Sequence, residues 1–187
     1  MTHAAYSVHP TPIGEALIVV TDEGLSHLEF LSDAAAVPGE LGRIGLLLHT
    51  VPVEDAAATA HVVTQLDEYF AGRRRSFDLP LDLGAAAGFV HAALEAICRV
   101  PYGQRASYAE VAIDAGSPGA NRAVGSVCAR TPISLVIPAH RIVRSDGSLG
   151  EYGGHPERKR FLLELEERVL EGRVLDERVA ASDPSGV

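Results

Sequence analysis

The residues best placed to do chemistry in this 187-residue chain lie in its second half. Ile133-Ser134-Leu135-Val136-Ile137 is mostly apolar, Pro138 interrupts it, and Ala139-His140-Arg141 leads into a second apolar pair, Ile142-Val143. Such a segment buries polar side chains at its centre, and a buried His140 needs a hydrogen-bond partner. By residue type alone His140 fits a satisfied core histidine as well as a proton-transfer group. Cys98 and Cys128 fall in segments that read as helices, and both are expected to be reduced core thiols. Two cysteines cannot build a Cys-rich zinc site, and the eight histidines are scattered, so no metal is expected. Gly150-Glu151-Tyr152-Gly153-Gly154 is glycine-rich but lacks a phosphate-cradle pattern, so no nucleotide or other cofactor is implied.

These residues must be held by elements the chain announces in order. Ala16-Leu17-Ile18-Val19-Val20 and Leu25 to Phe30 read as strands of a hairpin, with turns at Thr11-Pro12-Ile13-Gly14 and Thr21-Asp22-Glu23-Gly24. Residues 32–53 carry breakers at Pro38-Gly39 and Pro52 and announce no element. Val62, Val63, Leu66, Tyr69 and Phe70 place an amphipathic helix over Ala56 to Phe70, ending near Gly72. Arg73-Arg74-Arg75 then suits a solvated helix C-terminus. Leu79 to Gly88 reads as a linker, after which the texture turns helical. Phe89 to Val100 is a helix stopped by Pro101-Tyr102-Gly103. Ser107 with Glu110 makes a capping box for Tyr108 to Ala115. Gly116-Ser117-Pro118-Gly119 is a tight turn before a second short helix, Ala120 to Ala129. Helix, glycine-containing turn and helix is the pattern of a helix-turn-helix, although many helical hairpins bind nothing. Pro156 to Arg173 is a long charged helix with Phe161, Leu162, Leu165 and Val169 inward.

The composition, 47% hydrophobic and 22% charged, is that of a globular protein. No apolar run approaches the roughly 18 residues of a membrane span, and Met1 to Ala4 opens no signal peptide, so a cytoplasmic protein with no membrane partner is expected. The net charge of −9 is unevenly placed. Residues 1–86 carry 4 basic and 12 acidic side chains, whereas residues 87–166 carry 9 and 8. A near-neutral section can still meet DNA if its arginines share a face, but its non-specific binding should be weak.

Taken together, Ile137-Pro138-x-His140-Arg141-Ile142-Val143, Gly147, Tyr152-Gly153-Gly154 and Lys159 resemble the O6-alkylguanine-DNA alkyltransferase family. Pro101-Tyr102-Gly103, Ser107-Tyr108, Arg122-Ala123-Val124-Gly125, and Leu162-Leu163 leading to Glu166 support the resemblance. Thr11-Pro12-Ile13-Gly14 and Leu66 to Gly72 match more loosely. With the pattern of elements, it implies a mixed α/β (α+β) protein. A small N-terminal α/β domain with an antiparallel sheet spans 1–84. A mainly helical, winged-helix-like domain with a helix-turn-helix spans 88–172, and a flexible tail spans 173–187. The resemblance also implies double-stranded DNA containing O6-alkylguanine as partner, bound as a monomer by nucleotide flipping. Arg122 would replace the flipped base in the stack, and Tyr108 would crowd its 3′ phosphate. Ser107, Asn121, Arg130 and Arg141 complete the implied DNA-facing set. Cys128, Pro138, Val143, Tyr152, Gly153 and Gly154 are the implied lesion pocket. His140 and Glu166 match the last two members of a Cys-water-His-Glu relay, in which a carboxylate-oriented imidazole activates a thiol.

At the acceptor position itself this chain has Ala139, whose methyl group cannot take up an alkyl group. Other departures are Val90 for glutamine, Leu94 for tryptophan, Thr131 for asparagine, and Cys128 for a small or apolar residue. Several readings stand. The chain is a lesion-binding protein, like the alkyltransferase-like proteins that hand O6-alkylguanine to nucleotide excision repair; or it is a suicide alkyltransferase carrying an engineered Cys→Ala change. Alternatively, Cys128 is a relocated nucleophile, or His140, Glu166 and Tyr108 act as general acid and base on a small molecule.

Overall fold

The computed structural model describes residues 3–84 and 86–172; the expected tail over 173–187 lies outside the described residues. Three strands form an antiparallel meander: β1 (Ala4–Thr11), β2 (Gly14–Thr21) and β3 (Gly24–Leu31). Two-residue turns at 12–13 and 22–23 join them, and Thr11 closes the first by donating from Oγ1 to the carbonyl of Gly14 at 2.6 Å. A short β4 (Val53–Glu54) runs parallel to β1, giving the sheet order β3-β2-β1-β4.

The sheet is covered on both faces, which explains why β2 reads as an unbroken apolar run. Side chains alternate along it. Ala16, Ile18 and Val20 enter the large core, and Leu17 and Val19 enter a smaller cluster closed by Ile44. Ile44 belongs to α1 (Val37–Leu48), an element the breakers at Pro38-Gly39 concealed. Pro38 occupies the first turn, where its missing N–H costs nothing. The large-core face is covered by α2 (Ala56–Phe70), whose Thr59, Val62, Leu66 and Tyr69 are buried at helical spacing. Asp55 caps this helix through Ala57 and Ala58, and Ser7 and Thr59 share a buried hydrogen bond at 2.6 Å.

The second half contains α3 (Gly88–Cys98), a two-residue β5 (Ala106–Ser107), α4 (Tyr108–Asp114), α5 (Asn121–Arg130), β6 (Ile142–Val143) and α6 (Pro156–Leu170). Ser107 and Glu110 form the expected capping box of α4. The turn to α5 needs left-handed backbone, supplied by Gly116 (φ 72°) and Gly119 (φ 88°).

The two halves share one core. A single cluster of buried residues runs from Ala5 through Leu66, Ile97, Val124 and Ile137 to Val169. Two backbone segments also dock on the open edge of β3. Leu25 donates to the carbonyl of Pro80 and Asp82 donates back to Leu25, at 2.8 and 2.9 Å. Leu28 and Ser134 make the equivalent contacts with the segment leading to Ala139, at 2.8 and 2.9 Å. The presumed linker after Leu79 is therefore in part a strand-like strip on the sheet. Among the described residues no helix is long and apolar enough to cross a membrane, and no group of three or more His, Cys, Asp or Glu side chains could hold a metal ion.

Candidate functional site

Ala139, His140 and Arg141 form one turn of 3-10 helix between Pro138 and β6. All three are buried, with His140 at 0% exposure. β6 pairs in parallel with β5, setting Val143 beside Ser107 and thus the turn beside the start of α4. From the far side, α6 brings up Glu166, also fully buried.

Glu166 is the hub of the site. Its Oε1 accepts from His140 Nε2 at 2.9 Å, from Tyr69 Oη at 2.7 Å and from Arg141 Nη2 at 2.9 Å. Its Oε2 accepts from the backbone of Gly103 at 2.7 Å, and Arg141 Nε lies 3.2 Å from both oxygens. Burial alone would raise the carboxyl pKa, but the hydrogen bonds and charges of His140 and Arg141 outweigh it and bring it down to about 2. Gly103 reaches Glu166 because it lacks a side chain: with φ 75° its Cβ would meet Leu170 Cδ1 at 2.1 Å.

His140 is the complement. Burial, followed by the charges of Arg141 and Lys159, outweighs the pull of Glu166 and lowers its pKa. A neutral ring beside an ionised carboxylate carries its hydrogen on Nε2, so Nδ1 keeps a lone pair. Nδ1 has no hydrogen-bond partner among the described residues. An unpaired buried acceptor costs about 1–3 kcal/mol, so its retention calls for a reason.

The expectation that Arg141 meets DNA is corrected. Arg141 is 7% exposed, and its guanidinium donates to Glu166 and to the carbonyl of Val100 at 2.7 Å and lies 5.5 Å over the ring of Tyr102. Position in the sequence put Arg141 beside the site, but an ionised glutamate beneath it turned the side chain inward. Cys98 is corrected too: it is exposed at the end of α3 rather than a core thiol.

The remaining expected residues divide into two places. Arg122, Asn121 and Arg130 are exposed on α5. Tyr108, at the start of α4, is half-buried, facing Gly125 on one side and Gly150 on the other, with Lys159 Nζ 6.0 Å from its ring centre. Ser107 is occupied as the cap of α4. Of the expected pocket, Cys128, Tyr152 and Gly153 line an open groove of about 820 Å³ that His27, Glu29 and Arg43 from the N-terminal half also line. Pro138 and Val143 are buried away from that groove, and Gly154 is exposed. The Tyr152 ring stands edge-on to His140, with centres 6.4 Å apart. Burial pushes the Cys128 thiol up to about 11 against the opposing charge of Lys159, which leaves it protonated and a poor nucleophile near neutral pH.

Tyr69 and Lys159 were given no role from the sequence. Tyr69 looked like one more apolar-face residue of α2. Lys159 is fully buried, donates to the carbonyl of Ile142 and is brought down to about 8 by burial. A lysine between two arginines on a charged helix carries no signal of burial; only its place on the inward face does.

Comparison with known proteins places both halves of the chain in one family. Residues 4–83 match the family model for the ribonuclease-like domain of 6-O-methylguanine DNA methyltransferase, and residues 88–168 match the model for its DNA-binding domain. A methylated-DNA–protein-cysteine methyltransferase of Methanosarcina barkeri is 36% identical over 165 residues, covering 88% of this chain and 98% of its own. That of Mycobacterium leprae is 37% identical over 156 residues, covering 83% and 88%. The solved structure of Mycobacterium tuberculosis OGT in complex with DNA superposes with a TM-score of 0.76 at 34% identity, over 88% of this chain and 94% of that one. The chain belongs to the 6-O-methylguanine DNA methyltransferase family.

Proposed function

We propose that the protein binds O6-alkylguanine in duplex DNA by flipping the nucleotide, and holds the lesion without accepting its alkyl group. The observation that carries this is Ala139: a buried methyl group precedes the His140–Glu166 pair, where the family chemistry needs a thiol. In this reading α4 and α5 dock on the duplex, Arg122 fills the stack, Tyr108 turns the nucleotide out, and Asn121, Arg130 and the N-cap Ser107 meet the backbone. The near-neutral second half makes discrimination depend on the flipped base rather than on phosphate attraction. A lesion held without an alkyl acceptor must be passed on, and nucleotide excision repair is the route the resemblance implies.

A proton-exchanging role for Glu166 on a small molecule is less well supported. Glu166, ionised down to about pH 2 and saturated with donors, has no proton to exchange near neutrality.

Fluorescence anisotropy with matched duplexes tests the proposal. Tighter binding to the O6-methylguanine duplex is expected, with no methyl gain on the protein and with the preference lost in Arg122→Ala. Equal affinity for both duplexes would sink it.

A further inference from the structure

The corner formed by Ala139 and His140 holds a group that lesion binding leaves idle. His140 is fully buried, its Nε2 is committed to Glu166, and its Nδ1 lone pair has no partner among the described residues. The residue before it ends at Cβ and is 2% exposed. A buried base thus follows, in the same 3-10 turn, a residue that supplies nothing for it to deprotonate. Lys159 places a cation near enough to repel a proton on His140, and such a charge favours an anionic sulfur over a neutral one.

We propose that this corner takes a small free thiol, hydrosulfide or a one- or two-carbon alkanethiol, as the alkyl acceptor, so that the protein dealkylates O6-alkylguanine catalytically. The idea rests on the lesion-binding reading, because the alkyl group must be held before Ala139. The thiol S–H donates to Nδ1, which takes the proton while Glu166 stabilises the imidazolium. The sulfur attacks the alkyl carbon. The S–C bond forms as the C–O6 bond breaks, and the electron pair stays on the guanine. Guanine then takes up one proton, and the imidazolium releases one. The sum is alkanethiol plus O6-alkylguanine giving thioether plus guanine, or hydrosulfide plus O6-alkylguanine giving alkanethiol plus guanine, with no oxidant or reductant. Neither product is bonded to the chain, so it leaves and the site is regenerated, unlike a suicide acceptor. A non-bonded sulfur stays roughly 3.5–4.0 Å from the Ala139 methyl, so it competes with the lesion for space. Methyl should therefore transfer faster than benzyl.

The test mixes a trace of protein with excess O6-methylguanine duplex and methanethiol, hydrosulfide or glutathione. It follows guanine by nucleoside chromatography and dimethyl sulfide, in the methanethiol arm, by gas chromatography, with anisotropy on the same samples. The expected result is several guanines per protein, at least about tenfold faster than thiol alone, with hydrosulfide and methanethiol active and glutathione inactive. Ala139→Leu, which fills the corner, should abolish the thiol-dependent rate. A lesion-selective protein that never exceeds the thiol-alone rate overturns this inference and leaves lesion binding standing. So does a rate indifferent to thiol size, or methyl found on Cys128. Loss of lesion selectivity itself overturns the binding proposal and this one with it.

Discussion

Tyr69 of α2 donates to Glu166 of α6 across 2.7 Å, so a side chain from the N-terminal half helps hold the carboxylate that orients His140. The same carboxylate collects Arg141, Gly103 and His140 from the C-terminal half. The site is therefore assembled across the chain's two halves.

Tyr69→Phe keeps the ring packing against Phe77 and Tyr102 and removes one bond to a charged acceptor. Urea unfolding should show a loss of about 1.5–3 kcal/mol. No loss would mean that Arg141, His140 and Gly103 satisfy Glu166 without it.

Glu166→Gln removes the charge and leaves the Arg141 guanidinium buried without its counter-ion. The expected cost is about 3–5 kcal/mol in the same assay. A change below about 1 kcal/mol, on the order of a surface substitution, would contradict the role of Glu166 as the hub of the site.

Acid should weaken the fold in two separate windows. His27, buried against Ser26 at 3.0 Å, is lowered from 6.5 to about 4 by burial and then by Arg43. The unfolded chain therefore binds a proton that the folded one refuses, and stability falls as pH drops from 6.5 towards 4. Glu166 is depressed to about 2, so its contribution is full above 4.5 and is lost only as pH falls from there towards 2. Unfolding free energies from urea melts against pH should show His27→Gln shrinking the upper window by about 2 kcal/mol, with the share of the likewise lowered His140 remaining, and leaving the lower window in place.

Ala139→Cys returns a thiol beside a ready base. Incubation with an O6-methylguanine duplex should add one methylene mass to the peptide carrying residue 139. An unmodified peptide would show that Thr131, Leu94 or Cys128 has altered the pocket beyond the missing sulfur.

The two native thiols should react very differently. Cys98 is exposed, while Cys128 is half-buried and raised to about 11. Iodoacetamide at neutral pH should label Cys98 first, as read by peptide mass spectrometry; faster labelling of Cys128 would reopen its candidacy as a nucleophile.

Local physics made much of this protein readable from its sequence. Two-residue turns, the unbroken apolar run of β2, the apolar positions 62, 66 and 69 of α2 and the Ser107–Glu110 box are determined within a few residues. So was the family, because Pro138-x-His140-Arg141 and its companions form an ordered pattern.

What the sequence could not decide are facts about distance between remote residues. α1 is held by one buried residue, Ile44, and only the second face of the sheet gives it a reason to form. Arg141 turned from DNA because Glu166, 25 residues on, lies beneath it. The unpartnered Nδ1 of His140 exists only because α6 captures Nε2. Burial and charge pairing depend on which elements come to lie together, and that is settled by the packing of the whole chain rather than by neighbours in sequence. Ala139 itself is the reverse case: its lack of a nucleophile was plain from the sequence, and packing decided only what stands unused beside it.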